Sequence, residues 1–195
     1  LPKGIKIVDL MSTKDFLDAS IKSVIKTLIE AIILVVLVVY IFLQNLRSTL
    51  IPALSIIVSL VGTFAFLSLV GFSLNMLTLF ALVLVIGTVV DDAIVVVEAV
   101  QAKFDEGYKS SYLATIDAMD GITSALVTTT FVFMAVFIPV SFIGGTTGTF
   151  YTQFGLTMAA AVAISLLNAL TLSPALCALI MTPHQTCLLY TSDAA

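Results

Sequence analysis

The chain has 195 residues, of which 60% are hydrophobic and only 10% charged, whereas a soluble domain carries about 25% charged residues. With a mean hydropathy of +1.19, that deficit excludes a disordered chain, a fibrous protein and an ordinary water-soluble globule, and leaves an integral membrane protein. The net charge of −4 argues against nucleic acid as a partner, since phosphate binding needs a basic face. The two cysteines, Cys177 and Cys187, and the single histidine, His184, form no CxxC pair and no cluster, so neither a metal site nor a cofactor nor a disulfide framework is expected.

In chain order, Ile5, Ile7 and Leu10 alternate with Lys6 and Asp9, the pattern of a β-strand. One strand is not a domain, so residues 1–11 read as the end of a soluble domain whose remainder would precede residue 1. A long first helix over about 12–46 follows. Ser12 and Asp15 resemble a capping box, Leu17, Ile21, Val24 and Leu28 recur at helical spacing, and the uncharged stretch Ala31–Leu43 enters the membrane near Glu30. Further spans are expected at about 50–70, 74–100, 122–143 and 151–181, each near the 20 apolar residues a crossing needs. Pro52 falls in the first turn of the second span, and Gly71-Phe72-Ser73 is a tight turn. Pro139 and Pro174 lie inside the fourth and fifth spans and predict kinks, because neighbouring helices can satisfy the freed carbonyls. Residues 101–120 form the only highly charged connection. Within it Tyr112, Leu113, Ile116 and Met119 share a helical face after Ser110 as a cap, which predicts a short helix lying in the interface. Residues 182–195 lack periodicity and read as a disordered or non-native tail, with His184 solvated in it. The fold class is thus an all-α membrane bundle of five helices with a short β-strand remnant at the N-terminus.

Orientation follows from Lys and Arg in short loops. Arg47, Lys103 and Lys109 fall on one side, while the loops at 71–73 and 144–149 carry none. The first group would be cytoplasmic and the N-terminus external. The five N-terminal lysines oppose this, but they count less if they belong to a large translocated domain.

Two carboxylates, Asp91 and Asp92, stand inside the third span between Val85–Val90 and Ala93–Val97. A helical rise places Asp91 roughly 26 Å from Leu74, between the midplane and the cytoplasmic edge. Each buried acid costs about 2.5–3.5 kcal/mol on insertion scales, a cost that fold stability does not explain. Adjacent helical residues point about 100° apart, so the two acids face different neighbours. A carboxyl that can take up or release a proton suits a proton carrier. Gly87, one turn before Asp91, would let another helix approach closely. Glu98, two turns after Asp91 on the same face, reads as a helix-end acid or a proton exit. Thr128-Thr129-Thr130, Ser165, Asn168 and Thr171 either line a water path or hydrogen-bond between helices, and Ala159–Ala161 with Ala163 form a packing face.

The run Ile41–Pro52, the run Gly87–Glu98, the loop Gly144–Gly148 and the run Thr171–Ala178 resemble the resistance–nodulation–division transporters of the hydrophobe/amphiphile, multidrug branch, over about Gly4 to Met181. The resemblance implies a drug/proton antiporter of the bacterial inner membrane. Such a pump exports hydrophobic or amphiphilic compounds, assembles as a homotrimer in lipid, and joins a periplasmic adaptor and an outer-membrane channel. Residues 1–11 would end a periplasmic porter domain, and the five helices would be the second to sixth of twelve. Asp91 and Asp92 would be the proton-relay aspartates, with a lysine partner in the second transmembrane half; Gly87 and Glu98 remain candidate supporting residues on their helical positions alone. The activity is transport, not enzymatic turnover. Two other readings fit parts of the pattern: a related accessory of protein export, and an intramembrane aspartyl protease. The protease needs its two acids on separate helices facing one water, whereas these are adjacent on one.

Overall fold

Long apolar runs with no interior turn signal leave the backbone one way to satisfy its polar groups in lipid, the helix. A computed structural model of the chain describes residues 13–72, 75–145 and 147–183, with side chains from Asp18 onward. Its elements are α1 (Thr13–Leu43), α2 (Leu46–Val70), α3 (Met76–Asp105), α4 (Ser111–Val140), α5 (Gly148–Leu170) and α6 (Leu172–Ile180). Five helical segments, with α5 and α6 counted as one, are long and apolar enough to cross a membrane. No strand occurs among the described residues. The strand expected over residues 1–11, the Ser12 cap and the 184–195 tail lie outside them.

Several boundaries differ from the expected ones, each for a local reason. The first and second helices are separated by two residues only. Gln44 takes a left-handed φ of 48°, and the Asn45 side chain accepts the Arg47 N–H at 3.0 Å, so Arg47, Ser48 and Thr49 join α2. Pro52 therefore lies inside α2 and not in its first turn. At the far end of α2, Gly71 adopts φ 76° and the N–H of Phe72 returns to the Leu67 carbonyl at 2.9 Å, a glycine-terminated helix end. Helix α3 starts at a capping box. Asn75 Oδ1 accepts from the N–H groups of Leu77 and Thr78 at 2.9 and 3.0 Å, and its own N–H donates to Thr78 Oγ1 at 3.0 Å.

The expected interfacial helix is not separate. Residues 101–105 extend α3, and 111–120 are the opening turns of α4, because nothing between Met119 and Ile122 breaks the helix. Ser110 holds the N-cap position without a side-chain cap bond; the neighbouring Ser111 instead donates to the Met181 carbonyl at 2.7 Å and ties α4 to the end of α6. Pro139 sits in the last turn of α4, where it bends nothing beyond it. Pro174 does more than kink. It has no N–H for the Leu170 carbonyl and its ring presses on that group, so the helix is interrupted at Thr171 (φ −120°, ψ −65°) and restarts at Leu172.

The 106–110 connection is held by charge, outside the apolar stretches of α3 and α4. Lys103 Nζ lies 2.8 Å from Asp117 Oδ2 and 2.9 Å from Glu106 Oε2, and the Tyr108 hydroxyl donates to Asp117 Oδ2 at 3.1 Å. The Lys103 and Tyr108 hydrogen bonds hold the Asp117 carboxyl below its ordinary range, and the same pairing raises the lysine. A depressed carboxyl stabilises the fold above its unfolded value, and the benefit is lost as pH falls through the folded one. Asp117→Asn should therefore loosen this connection at neutral pH, read as greater mobility of a spin label at Lys109→Cys. The difference from the unsubstituted protein should persist through the ordinary aspartate range near pH 4 and shrink only below it, once the depressed Asp117 carboxyl protonates. A difference that persisted well below that range would sink the ion-pair account.

Helix α3 is the hub. It alone touches all five other helices, and half of its most apolar window is buried inside the bundle, against 6% for α1. Buried side chains gather into two apolar clusters. One holds Leu82, Val85, Ile86, Val89 and Val90 of α3 with Ile56, Leu60 and Ala161. The other holds Val96, Val97 and Val100 with Ile51, Ala118, Ala169 and Cys177.

Candidate functional site

The gap between those clusters is where α3 carries Asp91 and Asp92. The helix does not end at Val90; it runs on to Asp105, which sets the pair at mid-length. The helix starts and ends later than the sequence suggested, at Met76 and Asp105. Their side chains diverge, as adjacent helical positions must. Asp92 is half-buried and faces α5, where Ser165 Oγ donates to its Oδ2 at 2.6 Å. Asp91 is exposed. It belongs to a single uncovered stripe along α3, formed by Phe80, Leu84, Gly87, Asp91, Val95 and Glu98.

Gly87 lies on this stripe and nothing stands within 4 Å of where its Cβ would be, so no helix among the described residues uses the close approach it permits. Glu98 is on the same stripe, and the helix continues for seven residues beyond it. It is not the helix-end acid that the sequence suggested, because Ala99–Asp105 keep the helical hydrogen bonds. Among the described residues neither Asp91, Asp92 nor Glu98 has an ion-pair partner.

A belt of polar contacts between helices runs on from Ser165. Asn168 Nδ2 on α5 donates to Ser59 Oγ on α2 at 2.6 Å, and Ser55 and Ser173 hydroxyls join α2 to α6 at 3.1 Å. All four serines of the belt are at most 1% exposed, yet no buried side-chain polar atom among the described residues lacks a partner. Ser165 and Asn168 thus bridge helices. Thr128, Thr129, Thr130 and Thr171 bond back to carbonyls of their own helix segments instead. Sequence reasoning missed Ser55, Ser59 and Ser173. Ser55, Ser59 and Thr63 recur every fourth residue in an otherwise apolar helix, and that spacing was the available signal.

The divergence of the acids bears on chemistry. Two carboxyls that must hold one water between them have to converge; here one is engaged by a serine on α5 and the other points to the open stripe. The arrangement does not fit an aspartyl protease. It is that of a helical membrane protein with two carboxyls at the middle of its most buried helix, one of them on an unfilled face.

Comparison with known proteins gives that class a family. The AcrB/AcrD/AcrF family matches residues 1–189, and the chain belongs to this family of resistance–nodulation–division transporters, proteins of the bacterial inner membrane that are not enzymes. It is 50% identical over 182 residues to the multidrug export protein AcrF of Escherichia coli (strain K12), covering 93% of this chain and 18% of that protein. It is 48% identical over 180 residues to the multidrug resistance protein MdtF of the same strain, covering 92% and 17%. The toluene efflux pump membrane transporter TtgB of Pseudomonas putida is 47% identical over 182 residues, covering 93% and 17%. The chain thus spans under a fifth of the length of these relatives.

Proposed function

We propose that this chain is the part of a proton-driven drug exporter that carries the proton. The observation that supports it most directly is the placement of Asp91 and Asp92 at mid-length of the hub helix, between two apolar clusters, where insertion penalises them and packing does not need them. The relatives' names supply the transported class: multidrug export and toluene efflux. The substrates are hydrophobic or amphiphilic compounds. The working unit is the full-length protein as a homotrimer, joined to a periplasmic adaptor and an outer-membrane channel.

The mechanism is indirect. Uptake of a proton by the pair changes its charge and so its attraction to a cation brought to the uncovered α3 stripe by the rest of the transporter. A proton crossing gains about 2.3 kcal/mol per 100 mV. That energy drives export only if the protonated and unprotonated forms favour two discrete packings. The long α1, which rises from outside the membrane, then carries the shift toward the drug site. The test is the full-length protein in liposomes. An imposed proton gradient should drive accumulation of a fluorescent drug, and a protonophore should abolish it; accumulation indifferent to the protonophore would refute the coupling.

The same reading fixes sidedness, with the α3–α4 connection cytoplasmic and the α4–α5 loop periplasmic. Asp105 and Thr147 are both exposed. In intact cells a membrane-impermeant thiol reagent should label Thr147→Cys and not Asp105→Cys. The reverse pattern would invert the topology.

A further inference from the structure

The two aspartates differ in one respect that the charge cycle alone does not require. Asp92 is tied to a buried hydroxyl on another helix, and Asp91 is not. Ser165 is 1% exposed and its Oγ lies 2.6 Å from Asp92 Oδ2. One turn further along the same face of α5, Asn168 reaches Ser59 on α2 at 2.6 Å. Beyond that, Ser55 on α2 holds Ser173 on α6 at 3.1 Å. In helices otherwise packed through apolar side chains, hydrogen bonding across the interfaces selects these hydroxyls and the amide.

The geometry points to Ser165 as the positioning residue through which the charge of Asp92 is felt by α5. The inference rests on the proton-carrying role proposed above. A hydroxyl donating to a carboxylate makes a charge-assisted bond, about twice as strong as one to a neutral carboxyl. Proton uptake at Asp92 therefore weakens the α3–α5 tie without breaking any packed apolar contact. Because Ser165 and Asn168 sit on one face of α5, a shift of α5 is shared with α2 through Ser59. Ser55 lies on the same α2, so the shift is passed on to α6 through Ser55–Ser173, across the interruption at Thr171. Around Asp92, the elements packed on α3 contribute Ser165 and no charged group; the one charge acting on it among the described residues is the adjacent Asp91.

The experiment uses the full-length transporter, with Ser165→Ala, Ser165→Thr and Asp92→Asn. Export is measured in cells, and proton-dependent infrared difference spectra are recorded on purified protein. The carboxyl C=O stretch of Asp92 is identified as the band lost in Asp92→Asn. Loss of one charge-assisted hydrogen bond should lower export by about tenfold in Ser165→Ala and move that band. Ser165→Thr, which keeps the hydroxyl, should leave the band where it is. If Ser165→Ala leaves the band unmoved, the inference is overturned, whether or not export falls, because a purely structural serine would not change the carboxyl vibration. If Asp92→Asn itself exports at the unsubstituted rate, the proton-carrying reading fails instead, so the two failures are distinguishable.

Discussion

Asp91→Asn and Asp92→Asn should each abolish proton-driven export by the full-length transporter while leaving its membrane insertion and assembly intact. Asparagine matches aspartate in shape and keeps a carbonyl oxygen to accept from Ser165, but it cannot exchange a proton. Packing therefore survives and the charge cycle does not. Insertion should if anything be easier, since a charged side chain at mid-span costs about 2.5–3.5 kcal/mol. The two variants should differ in their side effects. Asp92→Asn alters a hydrogen bond inside the bundle, whereas Asp91→Asn changes only the open stripe. Glu98→Gln should reduce export far less, because it lies two turns from Asp91, beside the second apolar cluster, with no polar partner among the described residues. The measurement is drug efflux in cells, with membrane-inserted protein quantified in parallel. Export near the unsubstituted rate in both Asn variants would remove the proton-carrying assignment. Loss of the protein from the membrane would instead make the pair structural.

What was readable in the sequence was what depends on composition and on short-range spacing. The helical class, the acidic pair and the divergence of its side chains all follow from hydropathy and the 100° step of a helix. The structure places Asp92 against α5 and Asp91 on the open stripe. Boundaries were less readable, because single residues decide them. Gln44 entering the left-handed region turns α1 into α2 in two residues, and glutamine gives no signal for that. The interfacial helix expected over 101–120 failed because amphipathic spacing shows that a helix has two faces, not where it starts. Nothing in Tyr112–Met119 says that the same helix continues into the membrane. The belt partners were hidden for another reason. A hydroxyl side chain in a span looks the same whether it bonds back one turn, as Thr63 does to the Ser59 carbonyl, or across to another helix, as Ser55 does to Ser173. Only the packing of α2, α5 and α6 separates the two cases.

The second large effect concerns that packing and should be found at Gly155. A Cβ there would stand 2.5 Å from Ser141 Oγ, 2.8 Å from the Phe137 carbonyl oxygen and 3.2 Å from the Ser141 nitrogen. The hydroxyl can rotate away, but the other two atoms belong to the backbone at the end of α4. Gly155→Ala therefore has to move one helix end off the other. That displacement strains the Thr152–Ser141 hydrogen bond of 2.7 Å and the edge contact of Phe137 with Phe154. Overpacking of this kind costs about 1–3 kcal/mol. Gly62→Ala is the matched control. Its Cβ would meet one side-chain methyl, Ile164 Cγ2 at 3.0 Å, and no backbone atom, so a displacement of a few tenths of an ångström relieves the contact, and alanine's advantage of about 1 kcal/mol within a helix works in its favour. Thermal unfolding of the purified full-length protein in detergent should show Gly155→Ala melting well below the unsubstituted protein and Gly62→Ala close to it. Export should follow the same order, because Gly155 and Ser165 share one rigid helix and moving the near end of α5 misplaces the hydroxyl at Asp92. If Gly62→Ala were instead the more damaging change, the α4–α5 approach would not be what sets the position of α5. The belt of polar contacts would then have to be held from the α2 side, through Ser59 and Ser55.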